Sequence, residues 1–559
     1  SQRSSDWLNR QLRSYLKTGR DTGTTTIPPA FGGAGIAAED VNHDGWPDLL
    51  CLSGRGNRLY LNDHGKAFRD VTETSGIIWL RADDNRPGEP RQPIIADFDN
   101  DGHQDIFISY VNDNHRLYKG RGDGTFEDVT EQCGLGGVGM VGGPATALDF
   151  DRDGKLDLFI AYFGDYLNGV LPTLERRNRN GLPDKLFRNV GGMQFEEVKN
   201  AGVENAGWGQ AAGHTDFNGD GWQDIIVGND FGVNGYYQNL KNGTFREVAA
   251  QLGTDKPSYT MGIGIADLNR DQLPDIYISN IVTMNKDEKY VTPSKDTPQK
   301  FDPDKLANMR VVEANDLFLS KRGQAQLPGY ERSALADRGY SSTGWSWDAD
   351  FFDADNDGDE DLYVLTGMNE FNLYSSENPY YTDPLKNEKV EVEIAGANAE
   401  PYVFFANEGG RLQDRSKESG LDVRGNARSS AYLDFDGDGD LDIAVNSYHG
   451  PVLLFRNDSP VGAGSRWLKL RLVGDPSRGV SLDGVGARVV VNGKSVRGLW
   501  REVHSTIGYL SVHPKELHFG VGAEDELEIE IAWPNGTSQR FDHLRSNRAY
   551  TLKLGGIIE

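Results

Sequence analysis

Short apolar runs recur along most of this chain, and each emerges from a stretch dominated by carboxylates. Asp105-Ile106-Phe107-Ile108, Asp224-Ile225-Ile226-Val227 and Asp275-Ile276-Tyr277-Ile278 are examples. Runs this short, rich in β-branched and aromatic residues, predict strands rather than helices. An aromatic strand and a polar turn trail each of them. Leu59-Tyr60-Leu61-Asn62 leads to Phe68-Arg69-Asp70-Val71, and Leu117-Tyr118 leads to Phe126-Glu127-Asp128-Val129. Leu186-Phe187-Arg188-Asn189 and Tyr236-Tyr237-Gln238-Asn239 lead in the same way to Phe195 and Phe245. One unit therefore reads strand, acidic loop, strand, connection, strand, turn, strand. Four antiparallel strands repeated radially make the blade of a β-propeller, so seven units predict seven blades in an all-β fold.

The flanks break this pattern. In residues 1–21, Trp7, Leu8, Leu12, Tyr15 and Leu16 are spaced for one short amphipathic helix. Unit seven stops at Leu454-Phe455-Arg456-Asn457 with no obvious last strand, and residues 22–31 are expected to supply it and close the ring. Asn457 to Gly464 reads as a linker. Beyond it, alternation in Leu468-Lys469-Leu470-Arg471-Leu472 and Leu527-Glu528-Ile529-Glu530-Ile531 predicts a small antiparallel sandwich or barrel. The expected division is residues 1–21 as a helical extension, 22–460 as the propeller and 461–559 as a C-terminal β domain.

The acidic stretches share the pattern D-x-[DN]-x-D-x-x-x-D, with oxygen-bearing side chains at positions 1, 3, 5 and 9. The first four sets are Asp40, Asn42, Asp44, Asp48; Asp97, Asp99, Asp101, Asp105; Asp149, Asp151, Asp153, Asp157; and Asp216, Asn218, Asp220, Asp224. The last three are Asp267, Asn269, Asp271, Asp275; Asp353, Asp355, Asp357, Asp361; and Asp434, Asp436, Asp438, Asp442. Calcium takes six to eight oxygens, and alternate carboxylates around a tight turn, with the position-7 carbonyl, suit it. Six loops carry Gly at position 6, where the backbone must turn sharply; the fifth has Gln272 and is expected to be the weakest site.

An EF-hand would close with Glu at position 12 and lie between helices. Here position 12 is Cys51, Ile108, Ile160, Val227, Ile278, Val364 or Val445, each inside a predicted strand. Asx-rich turns that bind nothing are the plain alternative for one copy, and seven copies in register argue against it. The expectation is roughly five to seven structural calcium ions.

These repeats resemble the FG-GAP and VCBS repeats of calcium-bearing, integrin α-type propellers. The C-terminal residues Asp483-Gly484-Val485-Gly486-Ala487-Arg488-Val489, Gly508-Tyr509-Leu510-Ser511, Leu517-His518-Phe519-Gly520 and Trp533-Pro534-Asn535-Gly536 resemble an ASPIC/UnbV domain. That order is similar to the cartilage acidic protein family and its bacterial relatives. The resemblance implies a secreted calcium-binding propeller with a small β domain, and no single chemistry.

Composition narrows the partners. A formal charge of −27 excludes nucleic acid held by general electrostatics. The loops account for 25 of the carboxylates, so much of this charge is ligand. No run approaches the roughly 18 apolar residues of a membrane span. Ser1-Gln2-Arg3 lacks an initiator Met, as a processed or trimmed form would. Calcium dependence points to an extracytoplasmic setting, secreted, periplasmic or at the cell surface. Cys51 and Cys133 leave a disulfide or two buried thiols open.

Strand alternation puts the calcium loops at one end of each blade and the second-to-third connections at the other. The long insertions Phe163 to Lys185, Ile281 to Asn315 and Met368 to Pro401 all follow a second strand, so they gather opposite the calcium loops. Such a face usually binds something. Its candidate residues are Arg81, Asp83, Asp84, Arg86, Asp165, Tyr166, Arg176, Arg177, Asp230, Trp345, Trp347 and Arg428, with His214 a candidate base that also suits a satisfied core position. Solvated loop charges are the plain reading of most of them. Two function classes follow. One is a binding or adhesion module for protein or glycan. The other is a lyase, hydrolase or cyclase acting on a small molecule in the funnel; no familiar catalytic motif supports it, and the module is preferred.

Overall fold

A computed structural model of the chain describes residues 34–168, 170, 177–280, 315–322, 327–333, 343, 346–367, 401–448, 450–459 and 464–556. The expected N-terminal helix and the 22–31 closing strand lie outside these residues. The regular elements of the described chain are almost all strands.

Seven repeat sheets follow one another in sequence. Their first strands are Ile36–Glu39, Glu89–Ala96, Gly142–Leu148, Gly209–Thr215, Pro257–Ala266, Ser346–Phe352 and Ala427–Leu433. In six sheets four antiparallel strands pair in chain order, and the seventh shows three. Each first strand packs beside the next, and that of sheet seven packs on that of sheet one, so the arrangement is a propeller-like ring. Both faces of each sheet are covered, which is why the strands read as continuous apolar runs. In sheet two, Ile106 and Ile108 join the apolar cluster shared with sheet one, and Phe107 joins that shared with sheet three.

Four short helical turns follow fourth strands: Thr72–Ser75, Thr130–Cys133, Ala249–Leu252 and Ser416–Ser419. Each ends in a left-handed glycine, Gly76, Gly134, Gly253 or Gly420, a stop signal that the strand pattern hid. Cys51 and Cys133 are both buried and free, in the clusters between sheets seven and one and between sheets two and three.

The C-terminal residues form two sheets. Arg466–Val473 lies between Leu517–Gly522 and Arg548–Lys553, and Leu499–Glu502, Arg488–Asn492, Glu526–Ala532 and Ser538–Arg545 make the other. One pairing corrects the antiparallel expectation: Arg466–Val473 and Arg548–Lys553 run parallel, because the domain's first and last strands lie side by side. Val489, Phe519, Ile529, Trp533 and Leu552 fill the space between the sheets.

This domain sits on the acidic-loop end of the ring and sends one segment down its axis. Ser505 Oγ meets Thr146 Oγ1 at 3.1 Å in sheet three, and Ser505 N–H donates to His214 Nε2 in sheet four. Gly508 bridges Ile263 in sheet five, and Tyr509 N–H donates to Asp348 in sheet six at 2.7 Å. Ser511 and Val512 pair parallel with Ile36 and Ala37 in sheet one, and Ser430 N–H of sheet seven donates to Ser511 Oγ. Lys515 reaches the Ile95 carbonyl in sheet two. The segment thus touches the first strand of every sheet. Gly508 is required there: its φ is +77°, and a Cβ would lie 2.2 Å from Asp348 Oδ1.

Candidate metal centres and the axial cluster

The seven acidic loops fold alike because their carboxylates cap their own backbone. In every loop the position-6 N–H donates to the position-1 carboxylate, at 2.7–2.9 Å. The position-7 N–H donates to position 5 in the same way, as Trp46 does to Asp44 and Leu273 to Asp271. Position 6 has positive φ throughout, from +65° at Gln272 to +99° at Gly439. Position 4 is left-handed too, at His43, Asn100, Arg152, Gly219, Arg270, Asn356 and Gly437, which the sequence did not reveal because most of these residues are not glycine. Gln272→Gly should therefore stabilise the protein by about 1 kcal/mol in calcium. A lower melting temperature for this variant would sink that account.

Position 9 ties the loop to the rest of its sheet. One oxygen accepts an N–H from the third strand or just beyond it in all seven loops, from Asn62, Gly120, Asn189, Asn239, Ser320, Asn407 and Asn457, at 2.6–2.8 Å. Four of these asparagines also donate to the preceding sheet: Asn62 to Phe435 O, Asn189 to Phe98 O, Asn239 to Phe150 O and Asn457 to Ala354 O. The Asn recurring in five of these positions was visible in the sequence, and the role of four of them as inter-sheet staples was not. Asp442→Ala removes one of the loop's carboxylates and the acceptor of both Asn457 N–H and Phe435 N–H. It should cost a few kcal/mol, and Asp442→Asn, which keeps one oxygen, should cost less by thermal melting.

Carboxylates converge within these loops. Oxygens of Asp97, Asp99 and Asp101, of Asp149, Asp151 and Asp157, of Asp353, Asp355 and Asp357, and of Asp434, Asp436 and Asp442 lie within 4.8 Å of one another. Loops one, four and five put Asn at position 3, and Asn42, Asn218 and Asn269 each accept from the position-5 N–H there. The donor set is all oxygen, which suits a hard cation. Burial, with crowding by neighbouring carboxylates, pushes Asp48 and Asp105 up to about 8, Asp442 to about 7 and Asp361 to about 9; Asp157 and Asp224 lie well above the usual range.

In an unfolded chain these groups titrate near about 4, so metal-free folded protein holds extra protons between about pH 4 and pH 9 and loses stability as pH rises through that window. Chelated protein should melt lower at about pH 8.5 than at about pH 5.5, and calcium should remove the difference. The reverse order in chelator would refute the buried-carboxylate account.

The residues expected on the opposite face divide. Trp345 and Arg176 lie outside the described residues. Arg81 is buried against Asp84 and Asp113, at 2.9 and 3.5 Å, while Asp83, Asp84 and Arg86 are exposed. Asp165 accepts from Asn168, and Arg177 reaches the Asp255 carbonyl. Asp230, Trp347 and Arg428 are not surface residues; they are buried around the axial Tyr509. Arg428 stacks on Trp347 at 3.9 Å, Trp347 meets Tyr509 at 5.4 Å, and Arg91 reaches Gln210 at 2.7 Å and the Tyr509 hydroxyl at 3.5 Å. Burial holds the Asp230 carboxyl well above its usual range. Arg91, Gln210 and Tyr509 were missed because only the ring brings them together. His214 is fully buried against Gln223 and Ser505, and burial lowers it to about 4, so it is a satisfied core histidine.

Residues 40–108, 97–160 and 216–278, holding the first five loops, match the FG-GAP-like repeat, and residues 478–557 match the family described as ASPIC and UnbV. The chain is an FG-GAP-repeat protein with a C-terminal ASPIC/UnbV domain. It is homologous to cartilage acidic protein 1. It is 24% identical to the mouse protein, covering 96% of this chain and 75% of that protein, and 23% identical to the human one, covering 96% and 73%. Among solved structures an ancestral GH74 enzyme overlaps 93% of this chain and 64% of its own at 11% identity and a TM-score of 0.39. Among the described residues no helix is long and apolar enough to cross a membrane.

Proposed function

We propose that this chain is a secreted or periplasmic calcium-binding propeller of seven blades, residues 22–460, capped by residues 461–559. It acts as a binding or adhesion module for protein or glycan through the face bearing the long insertions. The observation that supports this reading is the seat of the C-terminal domain. It covers the acidic-loop end, so a partner has the opposite end, where the chain leaves the sheets after Tyr162, Asn280 and Thr366. The homologue's name, which includes cartilage, supports an extracytoplasmic setting.

Calcium is the ion that fits the loops, held by the side chains at positions 1, 3, 5 and 9 and the position-7 carbonyl. When bound it neutralises carboxylates that the fold has crowded together. Elemental analysis should give roughly five to seven calcium ions per chain and no stoichiometric zinc or iron, and two or fewer would refute the metal reading. Glycan-array and matrix-protein binding by calcium-loaded protein should vanish when 281–314 and 368–400 are replaced by short Gly-Ser links. Retained binding by a variant that still melts normally would overturn the choice of face.

One observation favours the enzyme reading. Asp230 is buried with Oδ1 unpartnered among the described residues, within electrostatic reach of Tyr509, as a carboxylic acid kept protonated for proton transfer would be. Screening hydrolase and lyase substrates with Asp230→Asn as the paired variant tests it; no turnover lost in that variant counts against catalysis.

A further inference from the structure

Resting on the calcium reading, we infer that loops four and seven are regulated sites, where cations of the C-terminal domain compete with calcium for the first ligand. At loop four, Arg488 Nη1 lies 3.2 Å from Asp216 Oδ2, and at loop seven Lys469 Nζ holds Asp434 Oδ2. These are the oxygens that accept the position-6 N–H and belong to the first ligand of each loop. Both cations are anchored in the C-terminal domain, on strands Arg488–Asn492 and Arg466–Val473.

Loop four is also bonded differently from the others. In the other six loops the second oxygen of position 9 accepts the position-2 N–H: Val41, Phe98, Phe150, Leu268, Ala354 and Phe435. In loop four, Phe217 N–H turns to the Thr215 carbonyl instead, and Asp224 Oδ2 is left fully buried with no partner among the described residues. Glu502 of the C-terminal domain braces the same loop, accepting from Thr215 Oγ1 at 2.6 Å, Gln223 Nε2 at 2.6 Å and Asp216 N–H at 3.4 Å. In loop seven Asp436 Oδ1, like Asp99 Oδ1 in loop two, is also buried with no partner among the described residues.

A divalent ion entering either loop meets a positive charge already on its first ligand. Calcium and the domain cation therefore weaken each other's hold, and the coupling is reciprocal. Filling these two sites loosens the hold of strands Arg466–Val473 and Arg488–Asn492 on the loops. The axial segment, held by backbone pairing to Ile36 and Ile263, stays seated. Occupancy of the acidic face is thereby linked to the domain that carries Tyr509.

The test is a calcium titration of the full chain against a chromophoric chelator, with Lys469→Met, Arg488→Met and the double variant. Loops four and seven should hold calcium more weakly in the native chain than in the variants. Each single variant should tighten one of them about tenfold, and the double variant both. Native calcium binding left unchanged or weakened by the variants overturns the inference while sparing the calcium reading; no calcium bound by the native chain overturns both. Hydrogen exchange on native protein covers a variant that fails to fold. Amides of Arg488–Asn492 should exchange faster as calcium reaches saturation while Ser511 and Val512 stay protected, and unchanged exchange on saturation overturns the inference.

Discussion

Stripping calcium from the protein is expected to lower its melting temperature by ten degrees or more, and added calcium should restore it. At free calcium about ten times a site's dissociation constant each site adds roughly 1.4 kcal/mol, so seven sum to about 10 kcal/mol. The loops give this a structural basis, because each joins the turn between first and second strands to the third strand through position 9. Losing the ion leaves crowded, buried carboxylates at the base of every sheet. Monovalent salt should not substitute, since screening reaches buried groups poorly. A melting curve unchanged in excess chelator, after verified metal removal, would reduce the acidic repeats to a turn signature.

The repeat architecture was legible because its signals are local. Carboxylates at alternate positions, a positive-φ residue at position 6 that is Gly in six of the loops, and short apolar runs all act within about a dozen residues of one another, and the pattern recurs seven times. What escaped was set by contacts across the ring. Asp230, Trp347 and Arg428 read as surface polar and aromatic residues near an insertion, yet each meets the axis from a different sheet or strand and becomes buried. Asn62, Asn189, Asn239 and Asn457 recur where hairpin residues are expected, so nothing marked them as links between sheets. The motif Gly508-Tyr509-Leu510-Ser511 identified the domain without disclosing that it enters the propeller. A segment that pairs with Ile36 and Ile263 has partners hundreds of residues away, and no periodicity records that.

That axial segment carries the second large effect. Asp348 is fully buried and accepts four hydrogen bonds: Tyr509 N–H at 2.7 Å, Ser511 Oγ at 3.0 Å, and Ser430 N–H and Oγ at 2.9 and 2.6 Å. It therefore joins sheet six, sheet seven and the C-terminal domain at one point. Burial, with the neighbouring Asp350 carboxylate, raises it to about 7. Asp348→Ala strands several buried donors at once and opens a gap beside Gly508, which together should cost about 3–5 kcal/mol. Asp348→Asn keeps one carbonyl oxygen and should cost less than half as much. Because the lost contacts lie between domains, Asp348→Ala should also speed tryptic cleavage near Arg456, between the ring and the C-terminal domain. If Asp348→Ala melts within about two degrees of the native protein in saturating calcium, the axial segment is not what holds the cap in place.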